Sequence, residues 1–128
     1  MHHSGTIVIV EDEAVLALVI REKFEKAGFT TVVAYNGEDA LAIIRKEKPD
    51  LIILDLILPK KDGFEVLHEL QQNPELSAIP VVILSNLGED EDIKKALQMG
   101  AKDYLVKTQH PIREVVETCK KLLLTHSR

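Results

Sequence analysis

A chain of 128 residues, 45% hydrophobic and 29% charged, suits one globular domain with a full core and leaves no room for a second. Its net charge of −5, without a local basic cluster, argues against a nucleic-acid surface. No apolar run approaches the ~20 residues of a membrane helix, and the single cysteine excludes an internal disulfide, which fits an expected cytoplasmic location.

Residues 1–5, Met1-His2-His3-Ser4-Gly5, read as a flexible tail, with the domain expected over residues 6–125 and a second tail over residues 126–128. The two adjacent histidines on that tail are poorly placed to chelate a metal. Ile7-Val8-Ile9-Val10 is an unbroken apolar run, typical of a strand buried on both faces, and it closes on Glu11-Asp12. Residues 14–27 place Leu16, Val19, Ile20, Phe24 and Ala27 at helical spacing, and Gly28 stops that helix. The β-branched residues 30–35 predict a second strand. Asn36 is placed to cap a helix whose apolar stripe is Ala40, Leu41, Ile43 and Ile44, with Pro49 beyond its end.

A third strand, Leu51-Ile52-Ile53-Leu54, closes on Asp55. A loop with Pro59, Asp62 and Gly63 leads to a helix carrying Phe64, Val66, Leu67 and Leu70. Residues 80–85 form a fourth buried-type strand that ends on the hydroxyl of Ser85. The acidic run Glu89-Asp90-Glu91-Asp92 suits the first turn of a helix marked by Ile93, Ala96, Leu97 and Met99 and stopped by Gly100. Asp103-Tyr104-Leu105-Val106 is a short fifth strand running into Lys107. Pro111 sits at the first turn of a last helix, with Ile112, Val115, Val116, Cys119, Leu122 and Leu123 as its buried face.

Five strand–helix repeats with short connections predict an α/β fold, a doubly wound parallel sheet with helices on both faces. The strand order expected is 2-1-3-4-5, which sets strands one and three at the topological switch point. Glu11, Asp12, Asp55, Ser85 and Lys107 then share one sheet edge. Carboxylates crowded there oppose folding unless a cation offsets them, and an oxygen-rich cluster suits Mg²⁺. Asp55 is placed to act as a nucleophile, and phosphoryl transfer asks mostly for positioning and charge neutralisation. Taken singly, each residue has a plain role: Glu11-Asp12 as a helix start, Asp55 and Ser85 as turn residues, Lys107 as a surface lysine, Tyr104 as core. Their joint placement is what points to chemistry.

The chain resembles the response-regulator receiver domains of two-component signalling, from Ile7 to about Leu123. The resemblance rests on Val10-Glu11-Asp12-Glu13, Asp55-Leu56-Ile57-Leu58-Pro59 with Asp62-Gly63, Leu84-Ser85, and Ala101-Lys102-Asp103-Tyr104-Leu105-Val106-Lys107, in order and at the right spacing. It implies a flavodoxin-like (βα)5 fold and a phosphorylatable switch, which catalyses its own phosphorylation and dephosphorylation, rather than an enzyme. It implies that Asp55 accepts a phosphoryl group from the phosphohistidine of a sensor kinase or phosphotransfer protein. Asp12, Asp55 and the carbonyl of Ile57 would ligate Mg²⁺, with Glu11 acting through water. Lys107 and Ser85 would engage the phosphoryl group, and Tyr104 would swing inward behind Ser85. The surface of helix four, strand five and helix five would then change for a protein target or a phosphorylation-dependent dimer, with no direct contact to nucleic acid or membrane. The sequence ends soon after helix five, as expected for a stand-alone receiver or a piece of a larger regulator.

Several positions depart from the common pattern. Thr108 follows Lys107 where a cis-linked proline is usual, and a cis bond without proline costs ~2.5–4 kcal/mol. Asn86 follows Ser85 where a small residue is usual. Ile57 and Leu87, each two residues beyond a site residue, are apolar on the line of a hydrolytic water, so a long-lived aspartyl-phosphate is expected. A haloacid-dehalogenase-type phosphatase needs a second aspartate where Ile57 stands. A flavodoxin-type electron carrier is opposed by Glu11-Asp12-Glu13, which repel a phosphate-bearing cofactor. A phosphorylation-independent adaptor has no need of the full reacting set.

Overall fold

The computed structural model describes residues 5–126; residues 1–4, with the histidine pair, and residues 127–128 lie outside the described residues. In chain order the elements are β1 (Thr6–Val10), α1 (Ala14–Lys26), β2 (Thr30–Ala34), α2 (Gly37–Glu47), β3 (Leu51–Leu54), α3 (Gly63–Gln72), β4 (Val81–Ser85), α4 (Asp90–Gln98), β5 (Asp103–Val106) and α5 (Ile112–His126). The strands pair in parallel in the order β2-β1-β3-β4-β5, with β1 and β3 at the switch point. Fold class and strand order are as the sequence predicts.

The two-residue period of the strands divides the core into two layers. Val8, Val10, Ile52, Leu54, Val81 and Ile83 face α2, α3 and α4. Ile7, Ile9, Leu51, Ile53, Val82 and Leu84 face α1 and α5, where Phe24 and Phe29 meet edge to face. Runs that are apolar at every position are thus buried on both faces. The stripe expected for α1 needs correction: Ala17, Ile20 and Phe24 are buried, while Val19 is exposed, because it falls just off the line that meets the sheet. Leu97 is likewise exposed, and Ala96 carries the buried contact of α4. Pro111 stands just before α5, not within it, and its carbonyl accepts from the Glu114 and Val115 amides.

Local chemistry fixes the helix starts. Asn36 Oδ1 accepts from the Asp39 amide, capping α2. Asp62 and Glu65 form a reciprocal capping box on α3. Gly63 is required by close approach, since a Cβ there would lie 2.3 Å from the Asp55 carbonyl oxygen. At the sheet edge, the Lys107 amide donates to the Ser85 carbonyl on β4, so the alternation of a parallel ladder turns the amides of Tyr104 and Val106 outward. Both are covered by side chains: Asp103 Oδ1 accepts from Tyr104, and His110 Nδ1 accepts from Val106 at 3.0 Å. No helix among the described residues is long and apolar enough to cross a membrane.

Candidate functional site

Four strands deliver the expected side chains to one sheet edge. The ladder continues past β1 and β3, where the Asp55 amide donates to the Val10 carbonyl and brings Asp55 beside Glu11 and Asp12. One carboxylate oxygen from each of these three acids lies within 4.8 Å of the others. Glu11 and Asp55 are buried, whereas Asp12 is exposed at the mouth of the cluster. Lys107 enters from the end of β5, with Nζ 2.7 Å from Asp55 Oδ2 and 2.9 Å from Glu11 Oε1. The remaining oxygens are also held: the Glu13 amide donates to Glu11 Oε2 and the Ile57 amide to Asp55 Oδ1. The Lys107–Thr108 bond is trans, as are all peptide bonds among the described residues.

Three carboxylates facing one ammonium leave the cluster acidic. Burial pushes the Glu11 carboxyl up from its ordinary value, outweighing its hydrogen bonds from Lys107 and Glu13. Burial opposes the Lys107 charge, but hydrogen bonds and charge from Asp55 and Glu11 prevail and raise its pKa. Such an oxygen-only donor set with an open side fits a hard divalent cation.

Ser85 lies fully buried at the end of β4, where its Oγ accepts from the Leu87 amide at 3.3 Å. Tyr104 is already turned inward, and its hydroxyl donates to the Leu87 carbonyl at 2.5 Å. Leu87 thus joins the two side chains through its backbone, a role that no sequence signal announces. Burial, then the charges of Asp92 and Asp55, push the Tyr104 phenol up to about 12. Ile57 is exposed beside Asp55. His110, absent from the sequence-based site, anchors the turn after Lys107.

The response regulator receiver domain model matches residues 7–118. The chain belongs to that family. The receiver domain is 38% identical over 122 residues to the probable transcriptional regulator ycf27 of Porphyra purpurea, covering 91% of this chain and 49% of that protein. Among solved structures, it is similar to the Francisella response regulator 1452 receiver domain, with a TM-score of 0.87, 31% identity, and coverage of 97% and 99% of the two chains. It is also similar to the phosphorylated cyanobacterial phytochrome response regulator RcpA, with a TM-score of 0.86, 32% identity, and coverage of 99% and 98%. The receiver domain spans about half the length of the curated relatives it matches.

Proposed function

We propose that this receiver domain is a phosphorylation switch in which Asp55 is the phosphoacceptor. The observation that carries this reading is the Lys107 ammonium set between buried Asp55 and Glu11, with Asp12 beside them at the open side. A carboxylate oxygen of Asp55 attacks the phosphorus of a phosphohistidine on a sensor kinase. The new O–P bond forms as the P–N bond breaks, and the imidazole leaves with the electron pair and takes up a proton. Lys107 shifts from the Asp55 carboxylate to a phosphoryl oxygen, keeping that charge paired in a buried site. Ser85 supplies a hydroxyl donor to the same group, since its Oγ only accepts from the Leu87 amide.

Asp12, Asp55 and the Ile57 carbonyl are the candidates to hold Mg²⁺ directly, with Glu11 acting through water, as the family resemblance implies. A bound Mg²⁺ supplies charge neutralisation to the transferring phosphoryl oxygens. The same set supports self-catalysed phosphorylation from small donors and slow self-dephosphorylation. Movement of Ser85 and of the Leu87 backbone, to which the inward Tyr104 is tied, passes the change to the α4–β5–α5 surface, for a protein target or a second copy of the chain. The test is incubation with acetyl phosphate and Mg²⁺ followed by intact mass. We expect one phosphoryl adduct in the wild type and none in Asp55→Asn; an adduct that persists in the variant, or none in either, overturns the reading.

A further inference from the structure

We propose that His110 is a positioning residue that aims Lys107 at Asp55 by clamping the turn between β5 and α5. The inference rests on the phosphoacceptor reading of Asp55 and goes beyond it.

Lys107 has to bring a charged amine to a point between two carboxylates, so the backbone that launches its side chain must be fixed. Nothing in residues 107–110 is a proline, and the turn is built from trans peptides. Hydrogen bonds hold it instead. The Val106 carbonyl accepts from the Gln109 amide at 2.9 Å and the His110 amide at 3.0 Å. The outward Val106 amide, which no neighbouring strand can reach, donates to His110 Nδ1 at 3.0 Å. One imidazole therefore closes a ring that contains the Lys107 backbone. The same Nδ1 lies 3.1 Å from the Val106 carbonyl oxygen, so one ring nitrogen meets both backbone groups of Val106, accepting or donating according to its tautomer. Nε2 lies 4.0 Å from Glu114 Oε1, one turn along α5.

The half-buried ring has few ways to turn elsewhere. Pro111 restricts His110 to extended backbone, and α5 begins directly after it. Without the Nδ1 acceptor, the Val106 amide would be left to water at an exposed edge, and the turn could relax. Lys107 Nζ would then lose its fixed distance to Asp55, and misplacement on the ångström scale is expensive for transfer chemistry.

The test measures the rate of phosphoryl adduct formation from acetyl phosphate with Mg²⁺ in the wild type, His110→Ala, His110→Asn and His110→Gln. The Asn side chain places an acceptor near the Nδ1 position, whereas the Gln acceptor lies one bond further out, near Nε2. We expect about a tenfold loss in His110→Ala, recovery to within about threefold in His110→Asn, and no recovery in His110→Gln. Exchange of the Val106 amide proton should quicken in the Ala and Gln variants and stay slow in Asn, while that of Leu105 is unchanged. A wild-type rate in His110→Ala, or equal rates in Asn and Gln, would overturn the role of His110. No adduct in the wild type would overturn the reading of Asp55 itself.

Discussion

Lys107 Nζ lies 2.7 Å from Asp55 Oδ2, joining two residues 52 positions apart with both side chains largely out of water. Breaking such a buried pair from one side leaves an uncompensated charge, here two of them. Lys107→Ala should therefore lower stability by about 3 kcal/mol in metal-free buffer. Millimolar Mg²⁺ should return part of that loss, because a cation can replace the ammonium. Urea unfolding with and without Mg²⁺ measures both effects, and a variant as stable as the wild type would count against the pair.

The Tyr104 phenol gives an alkaline prediction. Its folded value of about 12 exceeds the ordinary 10, so the unfolded chain loses this proton first. The contribution of Tyr104 is complete below pH 10 and fades as pH rises toward 12. Tyr104→Phe should cost about 1 kcal/mol at pH 7, through the lost bond to the Leu87 carbonyl, yet show a flatter decline between pH 10 and 12. Denaturation midpoints across that range provide the comparison.

Glu11 behaves differently from a stabilising acid. Its folded pKa lies above 4.5, so the unfolded chain releases the proton first and stability falls as pH climbs through that window. Glu11→Gln removes the fall and should raise the melting temperature at pH 7 without metal. The same variant should bind Mg²⁺ more weakly by calorimetry. Unchanged affinity would remove Glu11 from the metal-binding set.

Most of this arrangement was legible in the sequence, for definable reasons. Ile7-Val8-Ile9-Val10 and Leu51-Ile52-Ile53-Leu54 are apolar at every position, as suits a strand covered on both faces, and five strands in a compact domain favour the order 2-1-3-4-5, which the sheet has. That order is what brings Glu11 and Asp12 to Asp55. Val19 departs from its expected place on the buried stripe because hydrophobicity marks a helix's apolar residues but not where its axis lies on the sheet. The bond of the Tyr104 hydroxyl to Leu87 and the covering of Val106 by His110 were illegible for another reason. Their partners are backbone groups, the Leu87 carbonyl and the Val106 amide, which every residue carries.

Gly63 offers a steric test. An added methyl would press on the Asp55 carbonyl oxygen and lie 2.5 Å from Leu56 Cα, and neither backbone segment can yield without moving the loop that starts α3. Gly63→Ala should cost about 1–3 kcal/mol in urea unfolding and slow adduct formation on Asp55. Wild-type stability would show that the loop gives way freely.

Ile57 and Leu87 bear on timing. Ile57 is exposed beside Asp55, and neither side chain has a polar group to orient an attacking water. The phosphorylated protein should lose phosphate with a half-life of minutes or longer, and Ile57→Asn should shorten it several-fold. A wild-type half-life of seconds in a phosphate-release assay would sink this idea.

The covered edge of β5 has a consequence for how the chain can associate. An open strand edge is a template on which another chain can add a strand through its main-chain hydrogen bonds. Here the outward amides of Tyr104 and Val106 are already taken by Asp103 and His110, and the Val106 carbonyl is taken twice. The sheet cannot be extended at that end by a passing peptide without first undoing the turn that holds Lys107. Whatever docks near β5 must do so through side chains, which can distinguish partners, and not through backbone pairing, which cannot.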